Sequence, residues 1–170
     1  MPEAQIDTRE LRNAFGCFAT GVTVITALDE KGRPVGITAN SLTSVSLDPP
    51  LLLWCLDKRS VTFDVFDACS KFVVSVLGAE AAPLASRFAM KNGHKMEGVD
   101  TAPTELGPPT FAGALAVFEC DAATHHDGGD HVIMVGRIRR FTHLPDHKHR
   151  EPGPLLYFRG RYSGLTALSG

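Results

Sequence analysis

Six of the nine residues from Thr38 to Ser46 carry a hydroxyl or an amide, and none is charged: Thr38, Asn40, Ser41, Thr43, Ser44 and Ser46. Residues two apart in an extended chain share a face. Thr38, Asn40, Ser44 and Ser46 therefore fall on one side, with Leu42. Ile37, Ala39, Val45 and Leu47 fall on the other with Ser41 and Thr43, and this largely apolar side is expected to face the core. A polar, uncharged face suits a planar heteroaromatic ring rich in donors and acceptors, or a phosphate gripped by hydroxyls and backbone N–H groups. The same residues also fit a solvated outer face of a strand.

A second candidate follows in CLDKRSVTF, Cys55 to Phe63. The loop ends at Ser60, which reads as the N-cap of a short helix carrying Val61, Val65, Phe66 and Cys69 on one face. Exposed N–H groups at a helix start attract phosphate, and Lys58 and Arg59 stand beside it. A plain cap with two solvated cations fits equally. His125, His126 and His131, with Asp127 and Asp130, invite a metal reading, but that stretch has no H-x-H or H-E-x-x-H pattern and no metal site is expected. His147-Lys148-His149 reads as solvated loop. By itself His131 is an ordinary strand histidine. Arg137 and Arg139 share a strand face, as do Arg159 and Arg161. They suit either cofactor phosphates or acidic partners at a surface or subunit interface.

Asp7 and Glu10 give a D-x-x-E start to a first helix, with Leu11, Ala14, Phe15 and Phe18 at helical spacing and Gly21 as its end. Val22–Leu28 reads as a strand, then a turn through Gly32 and Pro34. Gly36–Leu47 reads as a second strand with an irregular middle. Asp48-Pro49-Pro50 breaks the chain before a buried strand at Leu51–Leu56. A strand at Lys71–Leu77 and a helix at Ala79–Met90 follow, and Lys91–Gly113 is irregular. Ala114–His126 and His131–Phe141 form a long hairpin about Asp127-Gly128-Gly129-Asp130. Residues 143 to 153 form a polar loop and Leu155–Tyr162 a last strand. About seven strands and three helices that mostly do not alternate point to a mainly β (α+β) fold, a closed antiparallel barrel with peripheral helices.

The chain has 170 residues, 44% hydrophobic and 21% charged. That is one domain's length with a core of its own. The net charge of -2 and pI of about 6.4 speak against a nucleic-acid binder. Cys17, Cys55, Cys69 and Cys120 form no C-x-x-C pair and read as reduced thiols. The polar start MPEAQIDTRELRN has no secretory character, and LLLWCL (Leu51 to Leu56) is too short to span a bilayer. These features set the expectation of a cytoplasmic protein without a membrane partner. No G-x-G-x-x-G occurs, so a dinucleotide is not expected in a Rossmann manner.

The order of GVTVIT (Gly21 to Thr26), GITANSLTSVSLDPPLLLWCL (Gly36 to Leu56), SRFA (Ser86 to Ala89), GDHVIMVGRI (Gly129 to Ile138) and PLLYFRGRY (Pro154 to Tyr162) resembles the short-chain flavin reductases, the reductase components of two-component flavin monooxygenases. The resemblance runs from about Phe15 to Tyr162, the core of a single domain spanning 1–170. It implies an FMN-binding split barrel, usually homodimeric, with flavin at or near the subunit interface. It places Thr38, Ala39, Asn40 and Ser41 against the isoalloxazine and ribityl chain. Cys55, Leu56, Lys58 and Ser60 would run along the ribityl and phosphate side, and Arg87, Phe88 and Ala89 would close over the flavin. His131 would stand near the nicotinamide, with Tyr157, Phe158, Arg161 and Tyr162 lining that side. After SRFA the family commonly continues into an acidic-Lys-aromatic stretch, where this chain reads MKNGHKMEGVD with His94, Lys95 and Met96.

The expected activity is an NAD(P)H:flavin oxidoreductase using exchangeable FMN or FAD, with NADH or NADPH as hydride donor, feeding reduced flavin to a separate monooxygenase. The resemblance implies a His131 that orients the nicotinamide or assists protonation. A flavin-binding sensor or carrier without reductase activity is the alternative, and a plain interaction domain a third. G-D-H together with Leu155–Tyr162 favours the enzyme, because a mere flavin binder needs no nicotinamide half.

Overall fold

The computed structural model describes residues 6–91, 95–144 and 153–165. Helix α1 (Thr8–Phe15) starts as its sequence predicts: Asp7 Oδ1 accepts the N–H groups of Arg9 at 2.8 Å and Glu10 at 3.4 Å. It ends at Gly16 rather than Gly21 and buries none of its residues. Phe15 and Phe18, set at helical spacing in the sequence, are 70% and 77% exposed.

After β1 (Thr20–Gly21), β2 (Thr23–Leu28) pairs with β3 (Pro34–Ala39). The irregular middle expected in Gly36–Leu47 is a full break that makes two strands, because the chain leaves the ladder at Asn40–Leu42 before β4 (Thr43–Leu47). Asp48-Pro49, a cis peptide, turns β4 into β5 (Pro50–Asp57). Helix α2 (Phe63–Ala68) starts two residues later than predicted, with Thr62 rather than Ser60 at the N-cap. Strand β6 (Lys71–Val76) leads through a 3-10 turn at Ala79–Ala81 into α3 (Ala82–Ala89), with proline in its first turn, where the missing N–H is harmless. The irregular stretch holds two short strands, β7 (Thr101–Ala102) and β8 (Thr110–Phe111). Strands β9 (Ala116–Gly128) and β10 (His131–His143) pair along their whole length.

The predicted final strand is instead a hairpin, β11 (Leu156–Phe158) and β12 (Arg161–Ser163). Arg159 (φ 48°) and Gly160 (φ 76°) turn it. Two consecutive left-handed residues match the twist of a two-residue hairpin. Arg159 and Arg161 therefore do not share a strand.

Seven antiparallel strands run in the order β3-β2-β6-β9-β10-β5-β4. Ile25, Trp54, Phe72, Cys120 and Met134, from five of these strands, meet in one buried cluster. Strands that far apart in order can share a core only if the sheet curls. Trp54 sits edge-on to Phe66 at 5.3 Å and to Phe72 at 5.9 Å, the geometry that aromatic quadrupoles favour. The architecture is mainly β with few helices. The ladder itself is open: its two edges, β3 and β4, are joined by chain and not by strand pairing.

Strand β2 is buried on both faces. Ile25 points into the curl, while Val24 joins a second cluster outside it with Val22, Leu77, Ala85, Phe88, Phe111 and Leu155. This second cluster seats α3 and the tyrosines of the terminal hairpin.

Candidate functional site

The polar ribbon divides its labour. Thr38 Oγ1 donates to the Ala85 carbonyl at 2.7 Å, tying β3 to α3. Ser41 Oγ accepts the Cys55 N–H at 2.9 Å, tying the bend at 40–42 to β5. Asn40 is exposed between them. The apolar side predicted to face the core breaks down beyond the bend: Val45 is 48% and Leu47 94% exposed. The interruption at 40–42 and a register shift between Ser44 and Ser46 uncouple the two halves of the alternation.

Asn40 borders a cleft around Tyr157. One arm, of about 770 Å³, lies between α1 and the terminal hairpin and includes Asn13, Phe15, Cys17, Thr20, Asn40 and Ser41. A smaller arm of about 220 Å³ is lined by Val22, Thr38, Asn40, Ala89, Tyr157 and Tyr162. A third, of about 520 Å³, adds Ser86, Met90, Gly160 and Arg161. The Tyr157 and Tyr162 rings meet edge to face at 5.5 Å. Burial raises the Tyr162 phenol pKa, and a Ser86 hydrogen bond works against it. Thr20 Oγ1 is buried with no hydrogen-bond partner among the described residues, a condition that proteins rarely leave uncompensated.

Thr38, Asn40, Ser41, Ala89, Tyr157, Arg161 and Tyr162 thus come together. Ala39 is buried behind them at the end of β3, its carbonyl accepting from Thr23 Oγ1 at 2.8 Å. Phe88 is wholly buried, its ring against Gly36. Arg87 turns from the cleft: Nε donates to the Lys95 carbonyl at 2.6 Å and Nη2 to the Glu97 carbonyl. Phe158 is 39% exposed under the Arg159 guanidinium, 5.3 Å away.

The remaining predicted residues gather where β5 leaves the sheet. His131 opens β10 directly opposite Asp57. Its Nδ1 lies 2.7 Å from Asp130 Oδ1, and that contact holds the Asp130 carboxyl below the ordinary carboxylate range. Arg59, through its side chain first and its backbone N–H second, pulls Asp57 down to about 2. Lys58 clamps the β9–β10 tip: Nζ donates to the Gly129 carbonyl at 2.7 Å and pairs with Asp127, while its N–H reaches the Asp130 carbonyl at 3.0 Å. Ser60 Oγ meets Thr62 Oγ1 at 3.0 Å. Cys55 is half-buried and Leu56 fully buried. None of the three arms around Tyr157 is lined by Cys55, Lys58, Ser60 or His131. Within one chain the two groups are linked through the Ser41–Cys55 bond.

The sequence reading missed Asn13, Phe15, Cys17 and Thr20 as cleft residues. Helical spacing said nothing of a cleft, whereas α1 ends at Gly16 with Phe15 lining it. Cys69 is half-buried and Cys120 buried, and desolvation lifts their thiols to about 11 and about 12. Arg139 pairs with Asp121 at 2.6 Å. A separate cavity of about 640 Å³, at the far ends of β2 and β6, holds charged Asp29, Arg33, Asp64 and Lys71 but none of the predicted residues. His94 and His147 to His149 lie outside the described residues.

The family described as flavin reductase like domain matches residues 15–166. The chain is 40% identical over 162 residues to HsaB, the reductase subunit of a flavin-dependent monooxygenase of Mycobacterium tuberculosis, covering 95% of this chain and 84% of that one. It is 42% identical over 160 residues to the FMN reductase (NADH) SmoA of Agrobacterium fabrum, covering 94% and 87%. Among solved structures it superposes with a TM-score of 0.86 on the NADH:FAD oxidoreductase SgcE6 of Streptomyces globisporus, determined with NAD and FAD fragments. The identity there is 38%, over 96% of this chain and 98% of that one.

Proposed function

The chain belongs to the flavin reductase-like domain family, and on that premise we propose that it is an NAD(P)H-dependent flavin reductase. NAD(P)H, flavin and a proton give NAD(P)⁺ and reduced flavin, which goes to a separate monooxygenase. The observation that carries this reading is the cleft around Tyr157, where the neutral donors Thr20, Asn40 and Ser41 share one arm with the cations Arg12 and Arg159, Thr38 faces a second arm, and two tyrosines form a wall. A flavin fits this donor set. Its ring offers acceptors and donors to Asn40 and to the orphaned Thr20 hydroxyl, and flat faces to the aromatic walls. When bound, the flavin supplies the electron-accepting ring to which the nicotinamide delivers its hydride.

The protein's own contribution is position. Thr38 and Ser41 brace the segment that carries Asn40. Tyr157, Arg161 and Tyr162 shape the wall on the nicotinamide side. His131, oriented by Asp130, guides the nicotinamide or the accompanying proton. Cys55, Lys58 and Ser60 would hold the ribityl phosphate side of a bound flavin, with the buried Leu56 supporting them and Lys58 acting through the hairpin tip that it clamps. Ala89 forms part of the wall, and Arg87 and Phe88 hold it from behind.

His131 lies outside the cleft of its own chain, and Leu47 and Phe18 expose large apolar surface. Both observations support a homodimer in which two copies complete each site. The shared core of far-separated strands supports a split barrel closed across the β3–β4 edge. No described helix is long and apolar enough to cross a membrane, and a cytoplasmic location accords with supplying a diffusible product.

The test is NADH, then NADPH, oxidation by substoichiometric protein with excess FMN, FAD or no flavin. Catalytic turnover that depends on added flavin is expected. Flavin binding without turnover on either nucleotide would replace the enzyme by a flavin-binding carrier or sensor.

A further inference from the structure

We propose that Lys95 is a positioning residue for the cleft, holding the last turn of α3 in place through a backbone carbonyl. The inference rests on the functional reading of that cleft. Lys95 is only 7% exposed, and no carboxylate among the described residues pairs with it. Its Nζ donates to the Phe88 carbonyl at 3.0 Å. That carbonyl belongs to the penultimate residue of α3, one of the four that a helix leaves unpaired at its end, and a cation there also meets the negative end of the helix. The tie is reciprocal, since Arg87 Nε donates back to the Lys95 carbonyl at 2.6 Å and Nη2 to that of Glu97. Met96 and Val99 pack on the cluster that contains Phe88. Two cations thus lash the 95–97 segment across the final turn of α3.

That turn carries Ser86, Ala89 and Met90 into the cleft beside Tyr157 and Tyr162. Its direction is set by Thr38 at Ala85, by the Phe88 ring under Gly36, and by Lys95 at the carbonyl end. A buried unpaired cation is a poor stabiliser, because desolvation opposes it and an apolar substitute is often tolerated. Its consequence is therefore local geometry more than fold stability. Lys95 touches no reacting atom. It fixes the wall against which the flavin rests.

The test uses the full chain with Lys95→Met, which keeps length and removes the donor. Val74→Ala, in the other core cluster, serves as a stability control. Loss of one charge-assisted hydrogen bond should raise Kd and KM for flavin about tenfold, with kcat at saturating flavin kept within about twofold. Hydrogen exchange should show lost protection in residues 86–91. Val74→Ala should lower Tm as much or more yet leave flavin Kd unchanged. Unchanged flavin Kd in Lys95→Met would overturn the proposal, as would Kd shifts that follow the Tm losses equally in both variants. A wild-type chain that binds neither FMN nor FAD would overturn the functional reading together with this one.

Discussion

At the scale of single residues, charge is concentrated where β5 meets the β9–β10 tip. Asp130 stands 2.7 Å from the His131 ring and fixes the direction of its Nδ1. On the proposed function, a ring held this way would serve orientation or proton delivery rather than grip the flavin. His131→Ala is therefore expected to cut turnover about tenfold or more while leaving flavin Kd nearly constant, measured by steady-state kinetics and fluorescence titration. Asp57 behaves differently. Its carboxyl is held at about 2 by Arg59, below its value in the unfolded chain. A depressed folded-state pKa adds stability above the unfolded value, and that stability fades as pH falls through the folded one. The Tm deficit of Asp57→Asn relative to wild type is thus expected to be steady at pH 5 to 7 and to shrink between about 4 and about 2. A deficit that grows on acidification would contradict this.

Elements matter through how closely they approach. A Cβ added at Gly36 would lie 2.6 Å from the ring of Phe88, which is wholly buried. Strand β3 and α3 can touch at this point only because one of them carries no side chain. Overpacking of this kind costs about 1 to 3 kcal/mol. Gly36→Ala should show that loss in chemical denaturation and should weaken flavin binding as well, since displacing Phe88 moves Ala89. A stability loss with flavin affinity intact would separate α3 from the cleft.

For the whole molecule, the open question is how His131 reaches a cleft that its own chain does not bring to it. On the proposed function, a second copy would supply it. Leu47 at the end of β4 is 94% exposed and Phe18 is 77% exposed, apolar surface that a second copy would cover. Sedimentation should give twice the 18.3 kDa chain mass. Leu47→Asp combined with Phe18→Asp should shift that equilibrium toward monomer and lower turnover together. A monomer with full turnover would require each chain to complete its own site.

Local signals determined most of what the sequence by itself decided. Asp7 announced the first helix, because a carboxylate that satisfies free N–H groups works without tertiary help. Strands β2, β5, β6, β9 and β10 followed from β-branched and apolar runs. The motif combination of T-A-N-S, S-R-F-A, G-D-H and L-L-Y-F-R-G-R-Y identified the family. Tertiary structure decided what depends on distant partners. It stopped α1 at Gly16 and left Phe15 outside the core, since helical spacing cannot say whether a neighbour exists to cover a face. It broke Gly36–Leu47 at the bend that Ser41 ties to β5, which undid the alternation beyond Leu42. It turned Arg159-Gly160 into a hairpin, a turn that the glycine permits but does not by itself demand. It also spent Arg87 and Lys58 on backbone carbonyls. A side chain's type fixes what it can donate, and only the fold determines which acceptor lies within reach.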